Sequence, residues 1–331
     1  MVCLVIGDAN ADLCATLACF PSEGDVAAMT SLGIYSGGTA ANVAVAYARL
    51  GGRARLLTRI GKDSFAPVAL RAAEMAGVDL AFVQRDDQRT TGLCLAAISP
   101  GGERTFFSHR GANVHLEKPP VDDVFLDVHW LHVSGHALLE GPQRETALAF
   151  LQEADRRELP TSLDLCLPLV HKRSREIMPL LPRLSVLLGN QREFEALGAS
   201  LGLSDQTPLL EESLTTLTNL GSALVVAKMG ASGSRVAQGS SRIDIPPFSV
   251  EATDTTGAGD GFVAAFILMF ERSGSPQMAA EVANVVGALV ASRRGAADAG
   301  PTRDEVARAL SSAGLIKTLD VFTRSTQTPA S

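Results

Sequence analysis

The chain has 331 residues, 46% of them hydrophobic, which is enough for one large α/β domain or two smaller ones with a substantial core. This composition excludes a disordered or fibrous protein. The formal net charge of -7 excludes the overall positive field that holds nucleic acid or anionic lipid. We therefore expect a small-molecule partner, with no nucleic acid and no membrane.

The N-terminal sequence and the cysteines indicate the cellular compartment in which the protein is expected. The first residues, MVCLVIGD, form an apolar strand without the basic flank of a signal peptide. The longest apolar run, Phe262 to Phe270, is shorter than the roughly 20 residues that cross a bilayer. Five cysteines at irregular spacing, without a zinc-site pattern, indicate reduced thiols. These features predict a cytoplasmic protein.

Short strands rich in β-branched residues and leucine alternate with amphipathic helical stretches along most of the chain. This alternation is typical of an α/β fold with a mostly parallel central sheet and helices on both faces. The predicted strands are Val2–Asp8, Arg55–Ile60, His129–Ser134, Thr161–Leu165, Val186–Gly189 and Ala223–Lys228. The predicted helices are Ala41–Leu50, Phe65–Ala76, Arg144–Arg157, Glu211–Leu220, Ala258–Arg272 and Pro276–Arg293.

Two segments interrupt the alternation, residues 12–35 and 91–110. In the second, strand-like GLCLAAIS and RTFFSH flank the turn residues at 100–102. We expect both segments to be antiparallel excursions that form a small β lid and exclude water from a reaction. Residues 1–322 are expected to form a single domain with this lid, and residues 323–331 a disordered tail.

The most specific local signal is the string DTTGAGDG at 254–261, followed at once by the apolar helical run FVAAFILMF. Glycines that open a helix leave backbone N–H groups that bind anionic oxygen, which the helix dipole also favours. A carboxylate in that first turn either interacts with the dipole or accepts the proton of a hydroxyl that attacks a bound phosphoryl group. A helix N-cap alone would explain an isolated GAG tripeptide, but the full string DTTGAGDG is much more specific than such a tripeptide.

This string resembles the C-terminal signature of the ribokinase-like (PfkB) carbohydrate kinases. Residues 37–44, GGTAANVA, resemble the family's G-G-x-x-x-N-x-A signature, and similarity extends from GDANAD at 7–12 through GAN at 111–113 to Gly295 and Ala296. The resemblance implies a ribokinase-like three-layer α/β/α fold and ATP-dependent phosphorylation of a hydroxyl of a small sugar or sugar-like molecule. Asp260 would be the catalytic base, and the anion hole would consist of Gly257, Ala258 and Gly259.

The same resemblance implies the ligand contacts. Substrate hydroxyls would be bound by Asn10, Asp12, Gly38, Thr39 and Asn42. The nucleotide would be bound by Asn190, Lys228, Gly230, Gly233 and Asn284. Glu193 would help to hold Mg²⁺ through water. Asp254 marks a candidate monovalent-cation site, although Ala299 stands where ribokinase has a hydroxyl-bearing residue, so potassium activation is an open question.

Local chemistry offers simpler interpretations of several of these residues. Asn10 and Asp12 are also typical of a turn after a strand. Asn190 and Glu193 have the spacing of a capping box, which is compatible with a ligand role. Asn284 on a mixed helix face is equally consistent with a solvated side chain.

Other functions are less consistent with the sequence. The Gly61-Lys62 step is followed by Asp63 rather than Ser or Thr, so there is no P-loop, and zincin and serine-hydrolase motifs are also absent. The alternative from a different functional class is a sugar- or nucleotide-binding regulator that keeps the fold but has no catalytic turnover. Within the family, the alternative of a nucleoside kinase stays open. Cys166 and Pro168 replace the Asn and Arg of the D-x-N-x-R pattern of ketodeoxygluconate kinases, which is evidence against an acidic sugar bound by an Arg at that place. Lid edges often pair between subunits in this family, which makes a homodimer a further hypothesis.

Overall fold

The computed structural model describes residues 2–203, 209–221, 223–293 and 295–324. The strands are β1 (Val2–Ile6), β2 (Asn10–Leu17), β3 (Met29–Gly37), β4 (Arg53–Leu57), β5 (Arg59–Gly61), β6 (Gln84–Asp86), β7 (Gly92–Ile98), β8 (Arg104–His109), β9 (Val128–Ser134), β10 (Thr161–Asp164), β11 (Val186–Asn190), β12 (Leu224–Lys228), β13 (Ser234–Gln238) and β14 (Ser241–Ile245). The helices are α1 (Thr39–Arg49), α2 (Ala66–Met75), α3 (Val121–Phe125), α4 (Gly141–Arg156), α5 (Leu167–Ile177), α6 (Gln191–Ser200), α7 (Leu209–Asn219), α8 (Ala258–Ser273), α9 (Pro276–Ala291), α10 (Arg303–Ser312) and α11 (Ile316–Thr323).

The main sheet contains eight strands in the order β14-β13-β12-β11-β10-β9-β1-β4. All pairs from β4 to β12 are parallel, whereas β12, β13 and β14 pair antiparallel. The prediction of a mostly parallel sheet is confirmed. The β13–β14 hairpin was not predicted, because its two strands mix polar and apolar residues without a long hydrophobic run.

The core lies in two layers, one on each face of the main sheet. Along β1, Cys3 and Val5 pack in the layer that includes α1, α8 and α9, while Val2, Leu4 and Ile6 pack in the layer that includes α4 and α6. Successive strand side chains point to opposite faces, so an uninterrupted apolar strand fills both layers. This arrangement is the predicted three-layer α/β/α fold.

Helix α8 is apolar on nearly all sides because it packs between the main sheet and the helices α1 and α9. Left-handed glycines cap both of its ends, Gly257 with φ 76° and Gly274 with φ 62°. Despite this apolarity, no helix in the described ranges has both the length and the hydropathy to span a bilayer.

A second sheet, which we call the lid sheet, has the strand order β3-β2-β7-β8. The β2–β3 and β7–β8 pairs are antiparallel, but β2 and β7 pair in parallel. The prediction of two antiparallel excursions that form a small β lid is therefore confirmed, whereas the parallel pairing that joins them was not predicted. Each excursion is a hairpin on its own, and the two join through their first strands, which run in the same direction.

Other predicted bounds need smaller corrections. The predicted strand Arg55–Ile60 is divided at Thr58 into β4 of the main sheet and β5, which pairs with β6. The six predicted helices are all present and begin and end within three residues of their predicted bounds. Residue 323 belongs to α11 rather than to a tail, and residues 325–331 of the predicted tail lie outside the described residues.

At the junction of β3 and α1, Gly38 lies very close to the backbone of residues 8–10. A Cβ on Gly38, which has φ 89°, would lie 2.5 Å from the Asp8 carbonyl oxygen. We expect Gly38→Ala to lower the free energy of unfolding by about 3 kcal/mol or more, because backbone strain and overlap add. Urea denaturation measures this loss.

Gly77→Ala is the matched control, since Gly77 has φ 73° but no atom within 4 Å of an added Cβ. In Gly77→Ala, we expect only backbone strain to lower the free energy of unfolding, by about 1 kcal/mol. Equal losses in the two variants would show that the close approach at Gly38 has no energetic weight.

Candidate active site

Asp260 is buried in the first turn of α8, beside the ends of several strands. The Nδ2 of Asn42, on α1, donates a hydrogen bond to its Oδ2 at 2.7 Å. Burial raises the pKa of the Asp260 carboxyl to about 6, with Asp164 acting in the same direction and the Asn42 hydrogen bond and the charge of Lys228 opposing it. A carboxylate with this pKa is largely ionised at neutral pH and is still a usable proton acceptor.

The loop before Asp260 presents backbone N–H groups. Within the described chain, the Gly257 and Gly259 amides make no backbone hydrogen bond, while the Ala258 amide donates to the Thr255 carbonyl at 3.2 Å. The site is also close to positive charge, because a Cβ on Gly259 would lie 3.6 Å from the Lys228 ammonium. Of the three residues predicted for the anion hole, the two glycines have the more available amides.

Lys228 ends β12 and donates a hydrogen bond to Oδ1 of Asp164, at the end of β10, at 2.6 Å. Burial works against the charge of Lys228, but the carboxylates of Asp164 and Glu193 outweigh it and raise the Lys228 pKa. Sequence reasoning missed Asp164. Its position at the end of a predicted parallel strand, where ligands bind in such sheets, was the signal that could have found it.

Asn190 and Glu193 form the predicted capping box at the start of α6. The Glu193 amide donates to Asn190 Oδ1 at 2.9 Å, and the Asn190 amide donates to Glu193 Oε2 at 2.7 Å. Burial raises the pKa of Glu193 to about 7, Lys228 opposes this, and Asp164 raises the pKa further. Two carboxylates that repel each other in this way suit a divalent cation nearby. The capping role and a ligand role are thus compatible.

A cavity of about 430 Å³ opens beside the glycine loop, within the usual size range of small-molecule sites. Its walls are mostly apolar, from Pro247 and Phe248 to Phe262, with Lys228, Gly230 and Gly233 at one side. Gly233 must stay small, since a Cβ there would lie 2.1 Å from the Ile245 carbonyl oxygen.

Asn284 is a buried residue on α9 that also lines this cavity. Its Nδ2 donates to the carbonyl oxygens of Ile245 at 3.3 Å and Pro246 at 2.9 Å. The interpretation of Asn284 as a solvated side chain is therefore wrong. Its amide fixes the segment that follows β14 against α9.

Asp12 of the lid sheet and Asn42 of α1 lie near Asp260. Burial and the charge of Asp260 raise the pKa of Asp12 to about 7. The buried Oδ1 atoms of Asp12 and Asn42 have no hydrogen-bond partner in the part of the chain that the structure describes. Buried acceptors are nearly always bonded, so both oxygens are suited to ligand hydroxyls. Gly37 leaves the space for Asp12, because a Cβ there would lie 2.1 Å from its carboxylate.

Asn10 and Thr39 lie next to this group but are already bonded. Asn113 Nδ2 donates to Asn10 Oδ1 at 2.9 Å, and the hydroxyls of Thr39 and Ser134 are 2.5 Å apart. Behind Asn10, sequence reasoning missed a buried ion pair in which the Arg110 guanidinium donates two hydrogen bonds of 2.9 Å to Asp8. The residues are 102 positions apart, so only the fold reveals the pair.

Asp254 contacts the lid sheet. Arg104 of β8 lies 3.0 Å from Asp254 Oδ1 and donates to the Thr255 hydroxyl at 3.2 Å. Asp254 also accepts the amide of Thr256 at 2.9 Å and that of Gly295 at 3.5 Å. A monovalent cation at this carboxylate would share it with the guanidinium.

Comparison with known proteins gives the family. The model of the pfkB family carbohydrate kinases matches residues 2–303. The chain belongs to the pfkB family. The predicted PfkB resemblance is therefore confirmed, and so is the predicted class of enzyme, an ATP-dependent carbohydrate kinase.

Similar pfkB proteins differ in substrate. ATP-dependent ribose-1-phosphate kinase from Halopiger xanaduensis is 31% identical over 93% of this chain and 97% of its own. Fructokinase from Klebsiella pneumoniae is 29% identical, over 83% of this chain and 91% of its own. The crystal structure of ribokinase from Thermotoga maritima is 25% identical and has a TM-score of 0.81, covering 94% of this chain and 99% of that one.

The Asn42–Asp260 hydrogen bond leads to a pH prediction for this pfkB kinase. The bond stabilises the ionised carboxylate, so Asn42→Ala should raise the apparent pKa of Asp260 further above its usual range. The acid limb of the kcat/KM profile, expected near pH 6 in the wild type, should then move up by about half to one pH unit.

Thr39→Ala is the control, because Thr39 lies beside Asn42 on α1 but its hydroxyl contacts Ser134. Its acid limb should stay in place even if KM changes. An unchanged acid limb in Asn42→Ala would mean that the limb does not report Asp260.

Proposed function

We propose that Asp260 is the general base of this kinase and accepts the proton of a sugar or nucleoside hydroxyl as that hydroxyl attacks the γ-phosphate of ATP. The observation that carries the proposal is the Asp260 carboxylate, buried in the first turn of α8 next to the Gly257 and Gly259 amides. Base and anion site are thus adjacent, as in-line phosphoryl transfer requires.

The nucleotide side is proposed to be the 430 Å³ cavity at the loop. Its apolar walls suit a base and ribose, while the loop amides and the Lys228 ammonium suit phosphate oxygens. Gly233 permits the close approach of the Ile245 carbonyl, and Asn284 holds the β14 end of the wall. Gly230, with φ 56°, lines the same cavity. Bound Mg²⁺ would neutralise phosphate charge, with Glu193 and Asn190 as the residues that help to hold it through water.

The acceptor side is proposed to lie between α1 and the lid sheet. The unpaired Oδ1 atoms of Asp12 and Asn42 accept substrate hydroxyls, and Asn10 and Thr39 complete the ring of polar groups. Gly38, also predicted to bind substrate, lets the start of α1 approach the backbone of Asn10, where an added Cβ would lie 2.8 Å from the amide nitrogen. Because these groups are amides, hydroxyls and carboxylates, the site suits a polyhydroxylated ring, either a free sugar or the ribose of a nucleoside.

Replacement of the base is the direct test. A positioned base contributes about 10²- to 10⁴-fold to the rate, so Asp260→Asn should lower kcat by that factor with little change in folding. Asp304→Asn, an exposed carboxylate in the first turn of α10, is the control for loss of one charge at a helix N-terminus. Turnover of Asp260→Asn within about threefold of the wild type would remove Asp260 from the role of base.

The substrate is identified with the same assay. ATP consumption is measured with magnesium against ribose, fructose, ribose 1-phosphate and nucleosides, with and without potassium. Ribose 1-phosphate and fructose are included because the names of similar kinases contain them. Since Arg104 already neutralises Asp254, potassium independence is expected. Ligand binding without turnover across the panel would instead indicate a sugar-binding regulator.

We further propose a homodimer through the outer face of the lid sheet. On this face Leu13 is paired with Ile34, and Leu95 is paired with Phe107. Ile34 and Phe107 are 43% and 54% exposed, and Leu32 on the same face is 54% exposed. An apolar sheet face of this kind is a typical interface between copies of one chain.

The double variant Ile34→Lys/Phe107→Lys should convert a dimer into a 34.7 kDa monomer in light scattering after size exclusion. Leu126→Lys, at a 65% exposed apolar residue outside the lid sheet, should leave the dimer intact. A wild-type chain that is already monomeric at micromolar concentration would contradict the proposal.

A further inference from the structure

Polar side chains join the helices α1 and α8 at two places. Near the N-termini of both helices, Asn42 of α1 donates to the Asp260 carboxylate of α8. Toward their C-termini, the Tyr47 hydroxyl of α1 donates a hydrogen bond to Oε2 of Glu271 on α8. The first link belongs to the proposed active site, whereas the second has no part in the mechanism proposed above.

The rest of the buried surface of α1 has little shape that could fix how it packs. On α8, Asp260 is the only polar residue that is buried among the described residues of the helix. Small apolar side chains pack at several offsets with similar energy, whereas one buried polar contact can select a single register. Apart from Asn42 and Tyr47, the buried residues of α1 are Ala40, Ala41, Val43, Ala44, Val45 and Ala46.

The two links hold α1 from different sides. Asp260 and Glu271 are eleven residues apart, which places them on one face of α8, about 16 Å apart along its axis. Asn42 and Tyr47 are five residues apart, which separates them by about 140° around α1. A slide of α1 along α8, or a rotation about its own axis, must therefore lengthen at least one of the two hydrogen bonds.

The Tyr47 end of this interface is held firmly. Tyr47 is 1% exposed, and its ring packs on Gly52, where an added Cβ would lie 2.1 Å from the ring. Beside Glu271, Arg272 donates to the carbonyl oxygen of Gly51 at 3.2 Å, just after α1 ends. Two hydrogen bonds thus fix the C-terminal end of α1 to α8.

We propose that Tyr47 and Glu271 are positioning residues, which fix α1 against α8 so that Asn42 reaches the Asp260 carboxylate. The proposal rests on the proposed function, in which Asp260 is the base, and goes beyond it by assigning a role to a pair outside the site. Neither residue lines the cavity at the glycine loop. Their effect on the reaction must therefore be carried by the two helices.

The pKa of Asp260 is the quantity that reports this positioning. Burial raises it to about 6, and the hydrogen bond from Asn42 lowers it. A weaker bond from Asn42 therefore moves the Asp260 pKa upward. The charged groups that face Asp260 from the other elements are Asp12 of β2, Asp164 of β10 and Lys228 of β12.

Tyr47→Phe is the direct test, because it removes only the hydroxyl and changes no ionised group. The Asp260 pKa from carboxyl ¹³C NMR titration and the acid limb of the kcat/KM profile should both rise by about 0.3 to 0.5 pH unit, part of the shift expected for Asn42→Ala. In the Asn42→Ala background, Tyr47→Phe should add no further shift to the acid limb, because the bond through which it acts is already absent.

The Glu271 side of the link has its own pair of variants. Glu271→Leu removes the acceptor and should give the same upward shift as Tyr47→Phe. Glu271→Gln keeps an oxygen that accepts the phenol proton, so the Asp260 pKa should stay within about 0.1 pH unit of the wild-type value. Equal shifts in the two variants would trace the effect to the lost charge and overturn the proposal.

Thr146→Val is the matched control for stability. Thr146 is buried, and its hydroxyl donates to the Leu116 carbonyl at 3.0 Å in the core layer on the other face of the main sheet. Its loss should lower Tm about as much as Tyr47→Phe, since each variant loses one buried hydroxyl hydrogen bond. Both the Asp260 pKa and the acid limb should stay in place.

The two readouts separate this proposal from the function on which it rests. If the NMR pKa of Asp260 does not move in Tyr47→Phe, the pair is only structural and the proposal is wrong, while the base role of Asp260 stands. If the NMR pKa rises but the acid limb stays in place, the positioning role is supported and the limb does not report Asp260. A full additional shift in the Asn42→Ala background would show that Tyr47 acts by another route, which also overturns the proposal.

Discussion

The burial of charged groups around the start of α8 is the constraint on which the rest of the structure depends. Asp260 and Glu193 are buried carboxyl groups, the Asp164 side chain is 13% exposed, and Lys228 is the cation near all three. Without Lys228, several like charges would repel in a medium that screens them poorly. The parallel sheet brings these groups together, because β10, β11 and β12 all end at the same edge.

Much of this arrangement was predictable from sequence, since it depends on local patterns. Glycines before an apolar helix predict an anion-binding loop there, and the alternation of strands and helices predicts the fold. Arg104 and the Asp8–Arg110 pair were not predictable in the same way. Their partners are distant in sequence, up to 151 positions for Arg104 and Thr255, and no local spacing encodes such contacts. The parallel β2–β7 pair was missed for the same reason.

The lid sheet has two chemically different faces because side chains alternate along its strands. Asp12 and Arg104 lie on the face toward Asp260 and Asp254, and Ile34 and Phe107 lie on the opposite face. A shift of pairing by one residue would exchange these faces and place apolar groups in the site. The same alternation of side chains therefore separates the proposed acceptor site from the proposed interface.

The ion pair between Arg104 and Asp254 joins the lid sheet to the loop that precedes α8, with side chains only 18% and 10% exposed. Any movement that separates these two parts must break that link and return both charges to water. Hydration then offsets much of the lost attraction, so such a link adds little net resistance to separation. The pair thus fixes the orientation in which the two parts meet more than the strength with which they adhere.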